Sequence, residues 1–115
     1  MKRGKIVLTP FPFTDLTANK VRPAVVVSDS ARMGVDVVLA FISSVYNSSN
    51  LSATDELLET TDAEFALSGL KKNSVFKMDK LATVDSAIIL GEMGETSPTL
   101  QAKLDAKLKI ALALK

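Results

Sequence analysis

The chain of 115 residues contains no cysteine, no histidine and no tryptophan, and each absence removes chemistry. Without cysteine there is no disulfide and no thiol nucleophile. Without histidine there is no Ser-His or Cys-His pair, no imidazole base and no zinc site of the usual Cys/His kind. Any catalysis must run on Ser, Thr, Asp, Glu, Lys, Arg or the single tyrosine. Aromatic residues make up only 5%, so the core has to be aliphatic. Long apolar runs are also missing. Mean hydropathy is +0.23, yet the longest strictly apolar stretch, Val37-Val38-Leu39-Ala40-Phe41-Ile42, falls far short of a membrane span. The basic start Met1-Lys2-Arg3-Gly4-Lys5 is followed only by Ile6-Val7-Leu8 before Thr9-Pro10 breaks the run, too little for a secretion signal. The expectation is a cytoplasmic protein without membrane contact.

What is present, 47% hydrophobic and 23% charged residues, fits one domain over residues 1–115. A chain of this size buries roughly two thirds of its unfolded surface and needs no disulfide or structural metal. The formal net charge of +1 conceals three blocks. Residues 1–32 carry +4, residues 33–70 carry −6 and residues 71–115 carry +3. If the outer blocks meet in space they form a basic patch suited to nucleic acid; otherwise the charges only solvate the surface. The acidic middle, with Asp55, Glu56, Glu59, Asp62 and Glu64, is open to a further reading as a built-in shield folded over that patch.

Residues 5–8 and 24–27 read as short strands joined by a loop holding Pro10, Pro12, Thr14, Asp15 and Asn19. Residues 35–43 form a third strand, apolar on both faces, which ends in the polar loop 43–50. Thr61-Asp62-Ala63-Glu64 has capping-box spacing and Gly69 follows, predicting one helical turn. Residues 74–78, 81–84 and 87–90 supply further β-type runs. Ser97 as cap, Pro98 in the first turn and Leu100, Leu104, Leu108 and Leu112 predict a long terminal helix. The fold class is mainly β with a C-terminal α-helix, a small antiparallel barrel or rolled sheet with the helix packed across it.

Candidate site residues follow from this layout. Arg22, before Pro23 at a strand entry, can hold a phosphate through paired hydrogen bonds or simply solvate that entry. Ser43 and Ser44, where the buried strand emerges, can donate to a phosphate oxygen or serve only as loop residues. Lys77 and Asp79 stand two apart on a strand, so both point to one face, as an acid–base pair or as a salt bridge.

Gly4-Lys5-Ile6-Val7-Leu8, Pro10-Phe11-Pro12-Phe13-Thr14-Asp15, Arg22-Pro23-Ala24-Val25-Val26-Val27-Ser28, Phe41-Ile42-Ser43-Ser44, Gly69-Leu70-Lys71 and Asp79-Lys80-Leu81-Ala82-Thr83-Val84-Asp85 occur in that order. In this ordered set the chain resembles the PemK/MazF family of toxin endoribonucleases. The resemblance implies an SH3-like β-barrel of the CcdB/MazF type, a homodimer, and metal-independent cleavage of single-stranded RNA at short sequences. It implies no cofactor, and restraint by a cognate antitoxin with an acidic tail. Arg22 matches the family's active-site arginine, Ser43 stands where the family usually has threonine, and Lys77-Met78-Asp79 replaces the Arg-x-Asp pair of some members. The family route is 2′-hydroxyl attack giving a 2′,3′-cyclic phosphate and a 5′-hydroxyl; on it Arg22 is expected as clamp and acid, with Lys77 the alternative acid, Asp79 as base and Ser43 as donor. Phe13, Lys20, Ser44 and Tyr46 are the RNA-contacting candidates, although Phe13 also suits core or dimer packing. Related CcdB-like proteins carry the same barrel and poison gyrase without catalysis, so binding to RNA or gyrase without cleavage is the alternative.

Overall fold

The computed structural model describes residues 2–10, 21–29 and 35–115. Six strands form one antiparallel sheet: β1 (Lys5–Pro10), β2 (Val21–Val26), β3 (Asp36–Ser43), β4 (Asp55–Leu58), β5 (Ser74–Asp85) and β6 (Gly91–Glu95). Their spatial order is β4-β5-β3-β2-β1-β6. The sheet curls into a half-barrel closed by a four-residue helix α1 (Phe65–Ser68) and a long helix α2 (Pro98–Ala111). The expectation of a mainly β chain with a terminal helix is met.

The central strands are apolar on consecutive residues because both faces of the sheet are buried. Ala24, Val25 and Val26 on β2 and Leu39, Ala40, Phe41 and Ile42 on β3 are all almost fully enclosed. On the face that carries α2, Ile6, Val25, Ile42, Phe76, Leu100 and Leu104 pack together. On the other, Val7, Ala24, Val26, Leu39, Phe41 and Val84 form a second cluster.

Helix α2 starts as the sequence predicts, with Pro98 in its first turn and the Ser97 hydroxyl accepting the Leu100 amide at 3.1 Å. Its leucine stripe behaves differently from a continuous packing face. Leu100 and Leu104 are buried, Leu108 is half-buried, and Leu112 lies past the helix end and is 48% exposed. Four residues exceed one turn of 3.6, so each step of the stripe rotates about 40° and carries it off the sheet. A chain of side-chain bonds ties the helix to the residues just before β1 and just after β2 and β6. The Arg3 guanidinium donates to Asp105 Oδ1 at 2.6 Å and, through Nε, to the Val27 carbonyl at 3.1 Å. Gln101 Nε2 donates to the same carboxylate at 2.9 Å, while Thr96 Oγ1 donates to Gln101 Oε1 at 2.6 Å. Burial alone pushes the Asp105 carboxyl up; hydrogen bonds from Arg3 and Gln101 and the charges of Arg3 and Lys109 outweigh it and hold the group below the usual carboxylate value.

Several local expectations need correction. The single helical turn is present and ends at Gly69, whose φ of 73° supplies the left-handed cap. The capping box does not form, since Asp62 turns back to accept the Glu59 amide at 2.7 Å and Glu64 makes no side-chain cap bond. Residues 74–78 and 81–84 belong to one twelve-residue strand, β5. Residues 87–90 are mostly a single 3₁₀ turn (Ser86–Ile88), opened by Asp85 Oδ1 accepting the Ala87 amide at 2.9 Å. The edge strands β4 and β6 lie in stretches without apolar alternation and have no counterpart in the sequence reading.

Candidate active site

The site is assembled by strand register. Arg22, near the start of β2, stands opposite Thr9 of β1. The β2–β3 pairing sets Ala24 against Phe41, and two residues further the same register brings Arg22 across from Ser43. On β5, Lys77 lies opposite Phe41. Residues at such spacing across neighbouring strands share a face. Arg22, Ser43 and Lys77 therefore converge from three strands, and with Phe41, Ile42 and Lys80 they line a cleft of about 260 Å³.

Lys80 reaches this cleft through an irregularity in β5. Ala40 pairs with Leu81 but the next residue, Phe41, pairs with Lys77, so Met78, Asp79 and Lys80 have no partners on β3. Met78 drops its side chain into the core and its amide bonds the Thr54 carbonyl at 3.1 Å, while Asp79 and Lys80 are exposed. Such bulges redirect side chains. The expected alternation of Lys77 and Asp79 is thereby broken: Lys77 and Lys80 line the cleft, and Asp79 does not.

The anionic partner of Lys77 is Asp55, from the edge strand β4, with Nζ 3.8 Å from Oδ2. The Asp55 side chain is only 7% exposed and also accepts the Ser52 amide at 3.1 Å. A buried carboxylate requires such partners. It belongs to the acidic middle block, which thus reaches the rim of the basic cleft from the β4 edge through one residue. Among the described residues no carboxylate pairs with Arg22 or Lys80, and none lines the cleft. The cleft is an electropositive recess with an apolar wall at Phe41 and Ile42, able to hold a phosphate and to stabilise negative charge that grows on it.

The remaining sequence candidates fall as follows. Ser43 is half-buried at the cleft, with its hydroxyl in a local turn, donating to the Val45 carbonyl at 3.0 Å and accepting the Val45 amide at 3.1 Å. Donation to a substrate oxygen requires it to release the Val45 carbonyl. Ser44 is exposed and lines a separate depression with Pro23, Leu70, Lys71 and Lys72. Tyr46 is half-buried in the loop after β3 and does not line the cleft. Phe13 and Lys20 lie outside the described residues. Sequence reasoning missed Asp55 and Lys80. Asp55 is 22 positions from Lys77 and meets it only through strand pairing; for Lys80, the one available signal was its place beside Asp79. Among the described residues no group of three or more Asp or Glu is arranged to hold a metal ion, and no helix is long and apolar enough to cross a membrane.

Solved structures with the same fold are numerous. An endoribonuclease from a mycobacterial species, solved in complex with its cognate antitoxin, superposes with a TM-score of 0.77 at 20% identity, covering 100% of this chain and 97% of that one. The Mycobacterium tuberculosis toxin MazF-mt6 gives 0.73 at 17% identity, with 98% and 99% covered. A MazE-MazF structure from Deinococcus radiodurans gives 0.74 at 19% identity, with 100% and 98% covered. No curated protein sequence matches the chain. At these identities the likeness shows the fold alone. The sequence itself matches the family described as "PemK-like, MazF-like toxin of type II toxin-antitoxin system" over residues 2–112, and with a match spanning nearly its whole length the chain belongs to that family.

Proposed function

We propose that this toxin is an endoribonuclease that cuts single-stranded RNA without a metal ion, leaving 2′,3′-cyclic phosphate and 5′-hydroxyl ends. The observation that carries the reading is the recess where Arg22, Lys77 and Lys80 meet across from Ser43, with no carboxylate among the described residues that line it. Attack of the ribose 2′-oxygen forms a new O–P bond and breaks the bond to the 5′-oxygen. The proton leaves the 2′-hydroxyl for a base, and another is delivered to the departing 5′-oxygen. Arg22 clamps the phosphate through its planar fork and supplies the leaving-group proton or its hydrogen-bonded equivalent. Lys77 and Lys80 stabilise the added negative charge. Ser43, exchanging its bond to the Val45 carbonyl, donates to a phosphate oxygen. Asp79, exposed on the bulge beside Lys80 and outside the recess lining, is the proposed base and has to swing toward the recess to take the 2′-proton. In a regular A-form helix the 2′-oxygen is held out of line with the 5′-leaving oxygen, so double-stranded RNA is spared.

The partners proposed with this activity are a second copy of the chain and an antitoxin whose acidic segment fills the basic recess, as fits a family of toxin-antitoxin pairs. The test is incubation of the purified protein with a long single-stranded RNA in EDTA, with mapping of the new ends. Wild type should cut and leave cyclic phosphates. Arg22→Ala should be slower by about 10²–10³, as for loss of one transition-state donor. Cleavage that needs added metal, or that is equal in both proteins, would overturn the assignment. RNA bound but never cut would replace it with a binding role.

A further inference from the structure

We infer that the depression holding Ser44, Lys71 and Lys72 is a second RNA subsite, which takes a nucleotide flanking the one in the catalytic recess. The inference rests on the endoribonuclease reading above and extends it to the opposite side of the sheet.

Two pairs of consecutive residues join the sites. Arg22 and Ser43 line the recess; Pro23 and Ser44, their immediate successors, line the second depression. Successive residues on extended chain point to opposite sides, so the two hollows open back to back at one end of β2 and β3. The core clusters agree. Phe41 in the recess belongs to the cluster away from α2, whereas Leu70 and Met93 in the second depression belong to the α2-side cluster. Among the described residues the end of β2 and β3 lies between them, and an RNA passing the recess reaches the other hollow by turning over the step from Ser43 to Ser44.

The chemistry of the second hollow suits a nucleotide. Its volume is about 170 Å³, with Pro23, Leu70 and Met93 as an apolar floor and Lys71 and Lys72 as a cationic rim. An unpaired base has an apolar face and a phosphate beside it, and such a floor with such a rim takes one of each. Both lysines are exposed, and among the described residues neither pairs with a carboxylate. No carboxylate among the described residues lines the hollow either. The segment that presents them is fixed before any ligand arrives. Gly69 turns the chain in the left-handed conformation, Ser68 Oγ accepts the Leu70 amide at 3.2 Å, and the Ser74 hydroxyl donates to the Lys72 carbonyl at 2.8 Å.

The experiment measures binding of a single-stranded RNA methylated at its 2′-oxygens, so that it cannot be cut, over a range of salt concentrations. Four proteins are compared: wild type, Lys71→Gln/Lys72→Gln, Arg22→Ala, and Lys103→Gln/Lys109→Gln, which loses the same charge from α2. Each phosphate contact contributes about 0.7 to the slope of log affinity against log salt for a single strand. The Lys71/Lys72 variant should bind more weakly, with a slope shallower by about 0.7, and the α2 variant should match wild type. If Arg22→Ala binds more weakly while the Lys71/Lys72 variant keeps the wild-type slope, the second subsite is refuted and the recess stands. If both double variants lose slope equally, general charge explains the effect and the subsite is again refuted. Loss of an oligoglutamate probe without loss of RNA would assign the hollow to an acidic protein segment and overturn the proposal. No RNA binding by wild type would bring down the endoribonuclease reading together with it.

Discussion

Replacing Gly69 by alanine tests how α1 is held against β6. Gly69 sits at φ +73°, where an L-residue costs about 1–2 kcal/mol. A Cβ built there would also fall 2.6 Å from the Met93 carbonyl carbon and closer still to its oxygen. Both are backbone atoms of β6, so no side-chain rotation relieves the overlap. One element must move away from the other, at the cost of about 1–3 kcal/mol typical of overpacking. Together Gly69→Ala should destabilise by about 2–5 kcal/mol, which at about 4–5 °C per kcal/mol for a domain of this size lowers Tm by roughly 10–20 °C. Gly91→Ala is the matched control, because none of the described residues lies within 4 Å of its added Cβ and its φ is not positive. It should stay within about 0.5 kcal/mol of wild type. Thermal unfolding by circular dichroism, with urea titration for the free energies, reads both. The reasoning is refuted if Gly69→Ala melts within a few degrees of wild type, or if Gly91→Ala falls as far.

Two smaller effects follow from the cap and the anchoring ion pair of α2. Ser97→Ala removes the hydroxyl that accepts the Leu100 amide and should cost about 1 kcal/mol in urea unfolding, with Ser97→Asp retaining most of it. The lowered pKa of Asp105 means that its ion pair with Arg3 stabilises the fold above the ordinary carboxylate pKa and is lost as pH falls through the lower folded value. The pair is more than a third exposed, so Asp105→Asn should cost no more than about 1 kcal/mol at neutral pH. The gap between the two proteins should narrow as pH falls below the ordinary carboxylate range, and a gap that widened on acidification would contradict the ion-pair account.

How much of this was legible beforehand depended on whether a signal was local. The helix cap at Ser97, the Gly69 turn and the doubly buried β3 are written in neighbouring residues, and all three are present. β6 reads Gly-Glu-Met-Gly-Glu, a turn-like string that becomes a strand only because β1 pairs with it. β4, with Asp55 and Glu56 in four residues, likewise takes its conformation from β5. Tertiary context outweighs β-propensity in both cases. At the candidate site, Arg22, Ser43 and Lys77 were picked by position along the chain, and strand register brings them together. Asp55 and Lys80 escaped because one arrives by pairing across 22 positions and the other by the break in β5.

That break also inverts the strand's inside and outside. Three unpaired residues are an odd number, so even-numbered positions face the α2 side before it, at Phe76 and Met78, and the opposite side after it, at Ala82 and Val84. Each half of β5 therefore obeys its own binary pattern, and the two are phased by the length of the insertion. Because Met78, Asp79 and Lys80 are unpaired, a residue added or deleted among them changes the length of the bulge and leaves both halves of β5 in their pairing with β3. The rim of the recess can therefore change length while the two cores on either face of the sheet stay as they are.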